Sequence, residues 1–64
     1  MTDRLLTAPE VSEILTLPVG HVYKLAREER IPHLRFGRSL RFRDEAITRW
    51  LEESERGNHQ HNRR

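Results

Sequence analysis

The stretch RIPHLRFGRSLRFR, residues 30–43, holds five arginines and one histidine and no acidic side chain. Guanidinium groups stay charged and offer a fixed fork of N–H donors, so clustering them suits the holding of an anion. The whole chain has 12 Lys+Arg against 10 Asp+Glu, a net charge of only +2. Its charge is therefore segregated: the stretch carries +5, and the seven other basic residues are outnumbered by all ten acids. Such a split marks a surface for a polyanion, the bland reading being a solvated basic loop with no partner.

Other chemistries have less to stand on. A chain of 64 residues makes one small domain, near the lower limit for unaided folding, and a catalytic cleft is not expected in it. With no cysteine there is neither a disulfide framework nor a thiolate zinc site, so packing must supply the stability. The pairs Glu28-Glu29 and Glu52-Glu53 read as solvated helix faces, and no Ser/His/Asp grouping or glycine-rich phosphate loop is present. The expectation is a protein that is not an enzyme and needs no cofactor or metal. No apolar run matches a signal-peptide core or a membrane span, which predicts a soluble intracellular protein with no membrane partner.

The elements that must position the arginines follow from periodicity and capping. In LTAPEV, residues 6–11, Thr7 and Glu10 have the spacing of a capping box, Leu6 and Val11 that of a hydrophobic staple, and Pro9 fits a first helical turn. Val11, Ile14 and Leu15 continue as one apolar stripe until Pro18 interrupts it. A second helix follows with Val22, Leu25 and Ala26 on one side and Gly20, His21, Lys24, Arg27 and Glu28 elsewhere, ending near Glu29 or Arg30 because Pro32 disfavours helix before it. Two short helices joined by about three residues make a helix-turn-helix, with Leu17 expected to plug the turn.

From His33 to Phe36 and from Leu40 to Arg43 the side chains alternate polar and apolar, which predicts a β-hairpin with Gly37-Arg38-Ser39 as its loop. That register sets Phe36 opposite Leu40, Arg35 opposite Arg41 and Leu34 opposite Phe42, giving an apolar face and an arginine face. Like charges directly across a hairpin are destabilising, and a phosphate backbone would relieve them, so the arginine face is expected to bind. The inference stands on the register, because a slip of one residue exchanges the faces. Asp44 then charges or caps a last helix whose buried stripe is Ile47, Trp50 and Leu51, with Arg49–Glu53 and Glu52–Arg56 as ordinary surface pairs. Beyond Ser54 no residue is apolar, which predicts a domain over 1–54 and a disordered polar tail over 55–64. His59 and His61 in that tail make a poor metal site.

The order helix, turn, helix, basic hairpin, short helix, with TAPEVSEIL, VYKLAREERIPHLRFGRSLRF and AITRWL in place, resembles the excisionase family of MerR-like winged helix-turn-helix proteins. Each motif alone is common; their order and spacing together are specific. The resemblance covers nearly all of the chain except the tail and implies a small α+β winged helix-turn-helix fold. It implies a recombination directionality factor of a phage or integrative element in the cytoplasm of a bacterial host. Such a factor binds double-stranded DNA at repeated sites, associates head-to-tail with further copies, bends the DNA and assists an integrase in excision.

Carried over by position, the recognition helix would present Val19, Gly20, His21, Tyr23, Lys24 and Arg27 to the major groove. The wing would present Arg35, Gly37, Arg38, Ser39 and Arg41 to the minor groove and phosphates. His21 and Lys24 can donate to guanine edges or simply be solvated; Val19 can meet a thymine methyl; Tyr23 and Arg27 suit phosphate. Arg38 would enter a narrow minor groove, with Arg35 and Arg41 anchoring the wing on the backbone. The run LPVGHVY lacks the serine-like cap usual in the family, and Gly20 lowers helix propensity, which shifts recognition toward the wing and DNA shape. Four or five arginines on phosphate predict that log affinity falls against log salt with a slope of roughly −4 to −5. A transcription regulator of the same fold would use the same contacts, and a chain ending soon after Leu51 lacks the long dimerisation helix of the larger MerR regulators. A protein-interaction adaptor is the remaining alternative, and the arginine face argues against it.

Overall fold

The computed structural model describes residues 4–61, with side chains through residue 55. The order is β1 (Leu5–Leu6), α1 (Ala8–Leu15), α2 (Val19–Arg27), β2 (Leu34–Phe36), β3 (Ser39–Arg43) and α3 (Asp44–His61). The strands form an antiparallel sheet in the order β1-β3-β2, so β3 is central. This is the small α+β winged helix-turn-helix expected from the sequence.

α1 starts on the capping box. The Glu10 amide donates to the Thr7 hydroxyl at 3.3 Å, and the Thr7 amide donates to Glu10 Oε1 at 2.8 Å. That backbone donor holds the Glu10 carboxyl below the usual carboxylate range; partial desolvation opposes it, while the Thr7 hydroxyl, Arg4 and Arg41 reinforce it.

Both helices of the motif end in Schellman closures. At the end of α1 the Thr16 amide donates to Glu13 O and the Leu17 amide to Ser12 O; at the end of α2 the Glu29 amide donates to Ala26 O and the Arg30 amide to Leu25 O. Each needs a left-handed residue, supplied by Thr16 at φ 57° and Glu29 at φ 59°. α2 therefore stops at Arg27, earlier than Pro32 alone predicts. Leu17 is half-buried, and what further fastens the turn is the Ser12 hydroxyl, which donates to the Leu17 carbonyl at 2.6 Å.

The core is Leu6, Ala8, Val11, Val22, Ala26, Ile31, Leu40, Phe42 and Ile47, with Leu15, Leu25 and Trp50 packed against it. Two expected core residues lie outside: Ile14 is 48% and Leu51 37% exposed. Trp50 is half-buried and its indole N–H donates to the Arg30 carbonyl at 3.0 Å, tying α3 to the end of the helix-turn-helix. Asp44 and Glu45 occupy the first turn of α3, where negative charge favours the helix dipole. Where a polar tail is expected over 55–64, the helix continues through His61; residues 62–64 lie outside the described residues. No helix among the described residues is long and apolar enough to cross a membrane.

The hairpin departs from the expected register. Leu34 lies opposite Arg41, Arg35 opposite Leu40 and Phe36 opposite Ser39, so the loop is the two residues Gly37-Arg38. The reason is local. Gly37 has φ +61° in the first loop position, as a type II′ turn requires, whereas a three-residue loop would place its left-handed residue third, at Ser39. The predicted Arg35–Arg41 pair and the single arginine face do not form.

Two outcomes follow from the caps. Thr16→Gly should raise stability by about 1 kcal/mol, because glycine occupies the left-handed region without the β-branched penalty; in a domain of this size thermal melting would register it as a shift of roughly 4–8 °C. A carboxyl with lowered folded-state pKa stabilises the fold above its unfolded-state pKa and loses that contribution as pH falls through the folded one. Melting temperatures from about pH 5 to pH 3 should therefore fall less steeply for Glu10→Gln than for the wild type.

Candidate nucleic-acid interface

α2 divides into an inward and an outward face. Val22 and Ala26 are fully buried and Leu25 packs beside them, which leaves Val19, Gly20, His21, Tyr23, Lys24 and Arg27 exposed. Gly20, Lys24 and Arg27 follow one another at i, i+4 and i+7, opposite the buried stripe. Pro18 is the N-cap and supplies no side-chain bond, so the expectation of an uncapped start holds. A Cβ at Gly20 would meet nothing within 4 Å, and the residue does not sit at positive φ. The fold itself therefore does not require glycine there, and the bare backbone leaves a notch in the outward face.

On the wing, Gly37, Arg38 and Ser39 are exposed at the tip and Arg35 is exposed on β2. β2 contributes no residue to the buried core: Leu34 at its start is half-buried, and its far end, Arg35 and Phe36, is exposed beside β3. The five arginines of residues 30–43 meet different fates. Arg30 pairs with Glu28 at 3.5 Å beside the end of α2. Arg41, expected as a phosphate anchor, is half-buried, donates to the Leu40 carbonyl at 2.8 Å and acts electrostatically on Glu10. Arg43 stands opposite Leu5 on β1 and is also engaged. Arg35 and Arg38 have no partner among the described residues.

The structure thus places the sequence-derived residues in two groups, the outward face of α2 and the tip of the wing, and sets Arg41 apart from both. Sequence reasoning missed Phe36, assigned to an apolar pair with Leu40 and found 56% exposed at the wing tip. The signal that could have revealed it was the position of glycine in the loop, which selects the two-residue turn. Two unpaired arginines on the wing, together with Lys24 and Arg27 on a helix face, make a discontinuous cationic surface. Such a surface suits a backbone of regularly spaced phosphates. Among the described residues no three His, Asp or Glu side chains gather as a metal site would need.

Comparison with known proteins matches residues 5–55 to a family model described as a helix-turn-helix domain. No curated protein and no solved structure matches the chain.

The partition of the arginines predicts separable effects. Arg38→Ala should weaken DNA binding on all sequences and reduce the magnitude of the salt slope by about 1, as loss of one phosphate or groove contact does. Arg41→Ala should instead lower the melting temperature and leave that slope unchanged. Titrations at several salt concentrations, beside thermal melts of the free proteins, distinguish the two.

Proposed function

The chain belongs to the helix-turn-helix domain family, a family of sequence-specific DNA-binding modules, and within it we propose that this protein is an excisionase-like architectural factor. The observation that carries this reading is the pairing of an exposed, glycine-notched face on α2 with a wing whose Arg35 and Arg38 have no described partner. α2 enters the major groove, where Lys24 and His21 donate to base edges and Val19 meets a thymine methyl. Tyr23 and Arg27 reach the flanking phosphates. The wing lies along the adjacent minor groove, led by Arg38.

One module of this size buries about 600–1,000 Å² of protein surface on DNA, too little for high occupancy at physiological salt by itself. Copies therefore bind adjacent repeats head-to-tail and cooperatively, and the bent array presents the DNA to an integrase. The motifs that support the excisionase role are TAPEVSEIL, VYKLAREERIPHLRFGRSLRF and AITRWL in their order. The protein works by binding and shaping DNA, without catalysis of its own.

Binding to tiles of its genomic neighbourhood, titrated by gel shift with bend angles read on the same fragments, tests the proposal. Cooperative, bending occupancy of repeats beside an integrase attachment site is expected. Strong non-cooperative binding to one isolated site would overturn the architectural role, and occupancy of a promoter would make the protein a transcription regulator.

A further inference from the structure

Phe36 is the most exposed large apolar side chain among the described residues, at 56%. It forms the last cross-strand pair, with Ser39, before the Gly37-Arg38 turn. The core makes no use of it. On one side in sequence stands Arg35 and two residues on stands Arg38, both exposed and without a described partner. The wing tip thus carries an exposed aromatic ring with one arginine just before it on the opposite face of β2 and another in the turn that follows, neither with a partner among the described residues.

That combination selects its occupant. An apolar protein surface would cover the ring but desolvate two cations without compensation, which is costly. A nucleic-acid duplex answers all three groups: phosphates lie on both rims of the minor groove, and the base pairs between them expose apolar faces once a step is opened. We infer that Phe36 is a wedge, inserted part-way between two base pairs from the minor groove while Arg35 and Arg38 hold the phosphates on either side. The inference rests on the reading of the wing as a DNA-contacting element and assigns the bend to one side chain. It also predicts a preference that no hydrogen bond supplies, because pyrimidine–purine steps unstack most easily and would be favoured beneath the wing.

The test uses full-length wild type, Phe36→Ala and Phe36→Leu with duplexes that the wild-type protein selects from a random-sequence library. 2-Aminopurine is placed at each position under the wing in turn, and bend angles are measured on the same duplexes. The wild type should raise 2-aminopurine fluorescence at one step and bend the duplex. Phe36→Ala should lose both effects and bind about tenfold more weakly, in line with the loss of one aromatic–base contact. Its salt slope should be unchanged, since the arginines remain, and Phe36→Leu should retain part of the bend. Free Phe36→Ala should melt with the wild type, because the ring is exposed.

Equal bending and fluorescence for Phe36→Ala, or a wild type that binds without unstacking any step, would overturn the wedge. So would a large drop in melting temperature, which would assign Phe36 to the fold. A DNA-free dimer in sedimentation that Phe36→Ala abolishes would assign the residue to a protein contact instead. Failure of the wild type to enrich any duplex at low salt would remove the DNA-binding reading itself, a result visible before any variant is made.

Discussion

The alternation of side chains along β3 is the constraint on which the rest of the molecule depends. Leu40 and Phe42 point inward and Phe42 is completely buried, while Ser39, Arg41 and Arg43 take the other face. Because β3 is the central strand, this one choice orients both neighbours. It pairs Leu6 with Phe42, which brings the start of α1 onto the core, and it carries β2 on its other edge, with Leu34 half-buried and Arg35 and Phe36 exposed. A one-residue slip would put arginines inside and the two apolar residues in water, an exchange a core of nine residues could not absorb.

The helix-turn-helix is held to that strand by ends rather than by length. α1 has eight residues and α2 nine, too short to be stable alone, so their stability comes from packing and from how each terminus is satisfied. The capping box begins α1, and matched Schellman closures end both helices. Each closure places a non-glycine residue in the left-handed region, which is locally unfavourable. The Ser12 hydroxyl at the first turn and the Trp50 indole at the Arg30 carbonyl fasten the segments around these costly residues. The outcome is a pair of short helices fastened at their ends, with the outward face of α2 left exposed.

Positive charge is divided between holding the fold and leaving it. Arg41 donates to a backbone carbonyl, Arg30 pairs with a carboxylate at the surface, and Arg43 is engaged where β3 meets β1. Arg35 and Arg38 reach outward from the wing, and Lys24 and Arg27 from α2. A surface ion pair such as Arg30–Glu28 adds little stability, and with both side chains exposed it only partly offsets the charge that Arg30 presents. The charge of the arginine-rich stretch is therefore divided between groups that have partners and two, Arg35 and Arg38, that have none among the described residues.

How much of this was legible in the sequence depended on whether the signal was local. Thr7 and Glu10, the buried stripe Val22, Leu25 and Ala26, and the existence of a hairpin all arise from residues within a few positions of each other, so the fold class and the outward face of α2 could be read directly. The order of those elements also carried the family resemblance. Choices made across the chain could not be read. The hairpin register turned on whether Gly37 opened a two-residue or a three-residue loop; the alternation of polar and apolar side chains favours the three-residue one, and the positive φ of Gly37 in the first loop position overrode it. Ile14 and Leu51 have helical spacing suited to a core, yet a domain this small has too little interior to bury every apolar residue on each helix. By itself the sequence determined which elements form and that positive charge gathers near the wing. Only tertiary structure decided which arginines are free and that Phe36 faces outward, because both depend on how β3 is shared between its two neighbours.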